Sequence, residues 1–182
     1  MSASIQRARD ILQDAELLYS AEQVQAALQR VAQQVNAALS DKHPLVLGVM
    51  GGAVVFSGQL LPLLTFPLDF DYVHVSRYGH ARQGGAMHWK VAPCENVRGR
   101  VVLLLDDVLD EGHTLAAVRE RVLELGADKC YSAVFAEKHG PKKAAKADFV
   151  GVGLPNRFVF GYGMDIEGAW RNLPAIYAVK EG

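Results

Sequence analysis

Cysteine, net charge and long apolar runs are all scarce in this sequence, and each scarcity excludes a class of protein. The only cysteines, Cys94 and Cys130, lie far apart and fit no CxxC or Cys/His ligand pattern. A disulfide scaffold is therefore excluded, and a reducing, cytoplasmic compartment is expected. Nineteen basic residues against twenty acidic ones leave a net charge of −1, so no strong field draws nucleic acid or an anionic membrane. The longest apolar stretch, around residues 46–55, is too short and too glycine-rich to span a bilayer. The amphipathic first twenty residues lack the continuous apolar segment of a secretory signal. There is no GxGxxG, no GxxxxGKS/T and no HExxH, and the six histidines show no metal-ligand spacing. No repeat, low-complexity tract or block of like charge divides the chain.

What is present is ordinary in bulk. At 182 residues, 50% hydrophobic and 21% charged, the chain reads as a single soluble domain over 1–182. Folding at that size buries about 70% of the extended-chain surface without staples. Ser20-Ala21-Glu22-Gln23 fits a capping box, and Val24, Leu28, Val31, Val35 and Leu39 trace one helical face behind it. Residues 45–49 read as a buried strand, Gly51-Gly52 as a turn, and 53–64 as a helix. Residues 68–75 alternate as a strand does, 78–85 form a loop rich in Gly, Arg and His, and 87–91 make a short strand. Residues 101–105 are a five-residue apolar run typical of a central parallel strand. Leu115, Val118, Val122 and Leu125 mark a helix closed by Gly126, and 131–136 and 149–152 are further strands. The alternation of apolar strands and helices predicts an α/β fold with a mostly parallel sheet.

The chemistry concentrates after the apolar run. Residues 101–105 lead into Asp106-Asp107, then Asp110-Glu111-Gly112-His113-Thr114, with a helix expected from about Thr114. Ligands in open parallel sheets bind just past the carboxyl ends of such strands. The loop can aim backbone N–H groups and the Thr114 hydroxyl at one anion, with the helix dipole adding to the attraction. Asp106 and Asp107 suit polyol hydroxyls or a hard cation. Ordinary capping does not require three aspartates within five residues. A rival motif, Asp69-Phe-Asp71-Tyr-Val73, resembles the aspartyl-phosphate signature of haloacid-dehalogenase-type phosphatases. That chemistry needs its first Asp at a strand's end, whereas the alternation here runs on through Val75.

The stretch around Asp106 to Leu115 resembles the phosphoribosyl-pyrophosphate signature of the type I phosphoribosyltransferases. From about Leu18 to Val179 the chain is similar to their hypoxanthine-guanine branch. The resemblance implies that fold: a mostly parallel central sheet flanked by helices, a mobile lid loop, and a small hood from about 1–20 and 155–182. It implies that Asp106 and Asp107 meet the ribose hydroxyls directly or through magnesium, and that Asp110 is the general acid/base at purine N7. Gly112, His113 and Thr114 match the 5′-phosphate loop, and Glu111 stands where Thr is usual, its side chain expected to point outward. Met50-Gly51-Gly52-Ala53 resembles the family's pyrophosphate loop, which contains a cis peptide, with Gly51 in place of a common Lys. Ser76, Arg77 and Tyr78 match the lid. Lys138 corresponds to the donor to the purine 6-oxo group. Phe158 would stack on the base, the Val159 backbone would read its edge, and Asp165 would approach the exocyclic position or magnesium. Arg171 matches an arginine that holds pyrophosphate.

The implied activity is purine salvage: phosphoribosyl transfer from phosphoribosyl pyrophosphate to hypoxanthine or guanine, with Mg2+, in a cytoplasmic homodimer or homotetramer. Neither nucleic acid nor membrane is an expected partner. Two alternatives stand beside it, a regulator of the same fold that binds phosphoribosyl pyrophosphate as a signal, and a phosphatase built on Asp69 and Asp71. A regulator should carry a basic face, and the only basic cluster is Lys138 with Lys142, Lys143 and Lys146.

Overall fold

The apolar runs become adjacent central strands, β2 (Leu45–Met50) and β5 (Val101–Leu109), in a computed structural model that describes residues 3–77, 87–140 and 142–180. With β3 (Asp69–Arg77), β4 (Met87–Val91), β6 (Lys129–Lys138) and β7 (Phe149–Leu154) they build a six-stranded sheet in the order β4-β3-β2-β5-β6-β7. All neighbours run parallel except the edge strand β4, which pairs antiparallel with β3. Helices α2 (Ala21–Leu39) and α3 (Ala53–Leu60) pack on one face and α4 (His113–Glu124) on the other. This double cover explains why the central strands are apolar rather than alternating. Leu103, Leu105 and Phe135 enter one core cluster, while Val102, Leu104 and Val134 enter the other. Every residue of the expected α2 face is buried, and the capping box forms, with Ser20 N–H donating to Gln23 Oε1 at 2.8 Å.

A second sheet of three strands, in the order β1-β9-β8, joins chain segments far apart in sequence: β1 (Glu16–Tyr19), β8 (Val159–Phe160) and β9 (Ile176–Ala178). These short strands and the amphipathic α1 (Ala3–Asp14) before them were not legible as elements in the sequence. Other boundaries move. The helix expected over 53–64 ends at Leu60 and tightens into a 3₁₀ turn, Leu61–Leu63, where Pro62 has no N–H to donate. β5 does not stop before the acids but carries Asp106 and Asp107 within it, because its ladder to β6 continues through Leu109. β6 and β7 run past residues 136 and 152, so Lys138 is the last residue of its strand, paired with Leu154. Along β7, the carbonyls of Gly151 and Gly153 accept from Arg30 of α2 and the Tyr19 hydroxyl of β1.

Candidate functional site

The parallel strands β2, β5 and β6 point their carboxyl ends at one region, and the aspartates of β5 sit at its floor. Asp106 is 9% exposed, and its Oδ1 accepts the N–H of Asp107, whose own Oδ1 accepts from Val108. Burial pushes the Asp106 carboxyl well above the usual carboxylate range, and the charge of Asp107 pushes it further. Burial also raises Asp107, while the bond with Asp106, the Val108 N–H and the charge of Arg171 pull it back. Two adjacent carboxylates so thinly compensated mark a place that positive charge or donating hydroxyls are meant to fill.

Three loops close on this floor. The Met50–Gly51 peptide is cis, and the next residue lies so close to the acids that a Cβ on Gly52 would stand 2.0 Å from Asp107 Oδ2. Gly163, at φ +100°, packs in turn on Gly52, where a Cβ would meet the carbonyl oxygen at 2.3 Å. Past β5, Gly112 enters α4 in the left-handed region and offers no side-chain cap, so the first N–H groups of the helix face the cleft without an internal acceptor. The resulting cleft is about 270 Å³, and Gly52, Asp106, Asp107, Asp110, Glu111, Gly112, Thr114 and Arg171 all line it. His113 does not: its ring is exposed, with Nε2 3.8 Å from Glu111 Oε2. The Glu111 side chain is more than half exposed, yet the residue still lines the cleft. Gly51 lies outside the cleft lining, and nothing stands within 4 Å of where its Cβ would be.

A second cavity, about 180 Å³, shares Asp107 as a wall with the first and is lined by Lys138, Phe158, Val159 and Asp165. Phe158 is 58% exposed, while Val159 is buried and pairs with Ala178. Lys138 Nζ lies 2.8 Å from Asp110 Oδ2, so two residues given separate tasks are in fact ion-paired. The Asp165 carboxylate pairs with Arg171 and accepts the Gly168 N–H, and Arg171 also donates to Gly163 O at 2.7 Å. Ser76 lies half-buried near the end of β3, Arg77 ends that strand, and Tyr78 falls outside the described residues. Asp69 and Asp71 begin β3 at the opposite end of the sheet, tied to Arg100 at 2.7 Å and to Asn96 at 3.3 Å. No cleft among those lining the acids of β5 reaches them.

Residues 14–167 match the profile of the phosphoribosyl transferase domain. The chain belongs to that family. Over 166 residues this phosphoribosyl transferase domain is 31% identical to the hypoxanthine-guanine phosphoribosyltransferase of Bacillus subtilis (strain 168), covering 90% of this chain and 92% of the relative. It is 30% identical over 167 residues to the hypoxanthine-guanine-xanthine phosphoribosyltransferase of Tritrichomonas foetus, covering 91% of each. Among solved structures, a hypoxanthine-guanine-xanthine phosphoribosyltransferase superposes with a TM-score of 0.79 at 29% identity, over 93% of this chain and 99% of the other. A hypoxanthine-guanine phosphoribosyltransferase from Bacillus anthracis gives a TM-score of 0.85 at 26% identity, over 91% of this chain and 98% of the other. Sequence reasoning on this phosphoribosyl transferase domain missed Val108 and gave no separate role to Met164, both of which wall the second cavity, nor to Gly163 as a buttress of Gly52. The Gly161-Tyr162-Gly163 spacing was the signal available. Val108 carried none, being an apolar residue inside an apolar strand.

Proposed function

We propose that this domain is a purine salvage enzyme that moves the 5-phosphoribosyl group from phosphoribosyl pyrophosphate to N9 of hypoxanthine or guanine, giving IMP or GMP plus pyrophosphate. One observation carries the reading: an anion cleft and a base-sized cavity share the half-buried Asp107, and the cavity holds a donor-only ammonium, Lys138. Ribose lies at the junction, with its hydroxyls on Asp106 and Asp107. The 5′-phosphate meets the loop of Glu111, Gly112, His113 and Thr114 at the head of α4. Pyrophosphate is held by the backbone at Gly51 and Gly52 and by Arg171. The purine lies on Phe158, its edge read by the Val159 backbone and its 6-oxo group by Lys138. Ser76, Arg77 and Tyr78 form the lid, and residues 1–20 and 155–182 the hood, of one domain spanning 1–182. As N9 bonds to C1′, the bond from C1′ to pyrophosphate breaks with its electron pair, and the N7 proton passes to Asp110. Positioning and charge stabilisation carry most of the rate.

The residues fit a magnesium ion. Asp106, buried, and Asp107, half-buried, stand beside one another with raised pKa values, and magnesium is commonly held by one or two carboxylates plus substrate oxygens. Among the described residues no cluster of three or more His, Cys, Asp or Glu is arranged to hold an ion alone, which leaves the rest of the shell to the substrate. Asp165, whose oxygens accept from Arg171 and the Gly168 N–H, would be the further protein ligand. When bound, magnesium neutralises charge on the departing pyrophosphate. No helix among the described residues is long and apolar enough to cross a membrane, which accords with a cytoplasmic enzyme. It works as a homodimer or homotetramer.

The deciding assay follows phosphoribosyl pyrophosphate consumption with hypoxanthine, guanine, xanthine, adenine and orotate, with and without a chelator. Hypoxanthine or guanine should turn over, adenine should fall behind by about 10⁴ in kcat/KM because its amino group opposes the ammonium, and chelation should abolish turnover until magnesium is restored. Tight binding of phosphoribosyl pyrophosphate with no turnover of any base would favour the regulator instead.

A further inference from the structure

We infer that the Lys138–Asp110 ion pair occupies the general base until a 6-oxopurine draws the ammonium away, so that reading the 6-oxo group and freeing Asp110 are a single event. The inference rests on the function proposed above and concerns how that site rejects other bases. Lys138 Nζ stands 2.8 Å from Asp110 Oδ2, and the lysine side chain is 15% exposed against 53% for the aspartate. The carboxylate oxygen that accepts from the ammonium is withheld from an incoming N7–H until the lysine moves.

The surroundings restrict the movement to the lysine side chain. Its backbone is pinned in the β6–β7 ladder opposite Leu154, and its carbonyl accepts from Lys143 Nζ. Next to it, His139 N–H donates to Leu154 O at 2.7 Å. Lys138 lines the base cavity and also a small pocket on its other side, which Asp110 lines too. Asp110 belongs to the phosphate cleft and to that small pocket, and does not line the base cavity. The ammonium therefore stands between the two, with Glu111, His139, Lys142 and Lys143 as the other charged or titratable groups around the small pocket.

A 6-oxopurine offers an acceptor at O6 and, in its N7–H tautomer, a donor beside it. Moving the ammonium to O6 while N7–H turns to Asp110 conserves the number of hydrogen bonds and leaves nothing unpaired. With its carboxylate more than half exposed the ion pair is weakened by solvent, so the exchange is not opposed by much. A purine with hydrogen at C6 offers no such acceptor, and adenine offers a donor in its place. With either of them Lys138 stays on Asp110, and discrimination appears in the rate of the chemical step as well as in binding.

Single-turnover rates at saturating base, for the wild type and Lys138→Met, with hypoxanthine and with unsubstituted purine, test this. A base-binding lysine and nothing more predicts that the variant loses on hypoxanthine and gains nowhere. The exchange predicts that Lys138→Met weakens hypoxanthine binding yet raises the chemical-step rate on unsubstituted purine by about fivefold, the masking that a weak pair can impose. The gain should vanish in the Lys138→Met/Asp110→Asn double variant. Lys138→Gln, checked by thermal melting, serves as the second variant. An unchanged or lower rate on unsubstituted purine in both single variants overturns the inference and leaves the proposed function standing. Failure of the wild type to turn over any 6-oxopurine removes both.

Discussion

The phosphate end and the base end of the site are built by opposite means. The phosphate end is mostly local: one strand, one turn and one helix, residues 101–124, supply the paired acids, the loop and the uncapped helix head, and the Met50–Gly52 loop and Arg171 join them. The base end is assembled from afar. Arg157 reaches Glu16 across 141 positions and donates to Val179 O, and Val179 N–H donates to Phe158 O, beside the ring proposed to stack on the base. Arg7 forms a paired contact with Glu167, and Trp170 donates to Ala8 O. The paired acids stand in the central sheet; at the base end Lys138 stands there too, while the Phe158 and Val159 wall is held by contacts between the chain's two ends.

Mutation should expose this contrast as a split between kcat and base KM. Asp110→Asn, at the phosphate end, should lower kcat by about 10²–10⁴ and leave phosphoribosyl pyrophosphate binding nearly unchanged by titration calorimetry. A variant that keeps its kcat and loses only affinity would make Asp110 a phosphate-loop residue. Gly52→Ala should cost about 100-fold in kcat/KM, since the new methyl must displace the short, half-buried Asp107 side chain by an ångström or more. If its activity is normal, the loop and the acid are not locked together as described. At the base end, Arg157→Ala should raise the KM for hypoxanthine about tenfold through loss of charge-assisted bonds, with kcat and the KM for phosphoribosyl pyrophosphate within twofold. An equal fall in kcat would erase the distinction between the two ends.

The smallest effect concerns the acid pair of β5. The native state holds on to the Asp106 proton that the unfolded chain releases near pH 4. Stability of the apoprotein therefore declines as pH rises through and above the carboxylate range. Asp106→Asn removes that decline, so the variant should melt a few °C higher at pH 7, about what 1 kcal/mol yields at this size, with the gap closing toward pH 4. A gap that widens on acidification would reverse the sign of the Asp106 argument.

The same contrast governs how much could be read beforehand. Asp106, Asp107, Asp110 and the Gly112 turn were legible because a strand, a loop and a helix head follow one another within fifteen residues. The α/β class was legible because strands buried on both faces have no polar side to show. The three-stranded sheet was not. Its strands of two to four residues are too short for period-two alternation to register, and their partners lie at opposite ends of the chain. Nor could spacing show that Lys138 and Asp110 touch, since the extra residues of β5 and β6 that bring them level come from a ladder and not from either strand's own pattern.

The bonds along β7 have a consequence for how the protein survives at high concentration. An open sheet has two borders, and an unguarded border is an invitation to add another chain's strand. At one border Tyr19 and Arg30 already sit on the carbonyls of Gly153 and Gly151. At the other, the border strand is five residues long and turns His88 and Lys90 outward. Fibril-like stacking is thus blocked at one border by side chains that plug it and discouraged at the other by shortness and charge, so the segments that fasten the base end to the sheet also keep neighbouring molecules from zipping onto it.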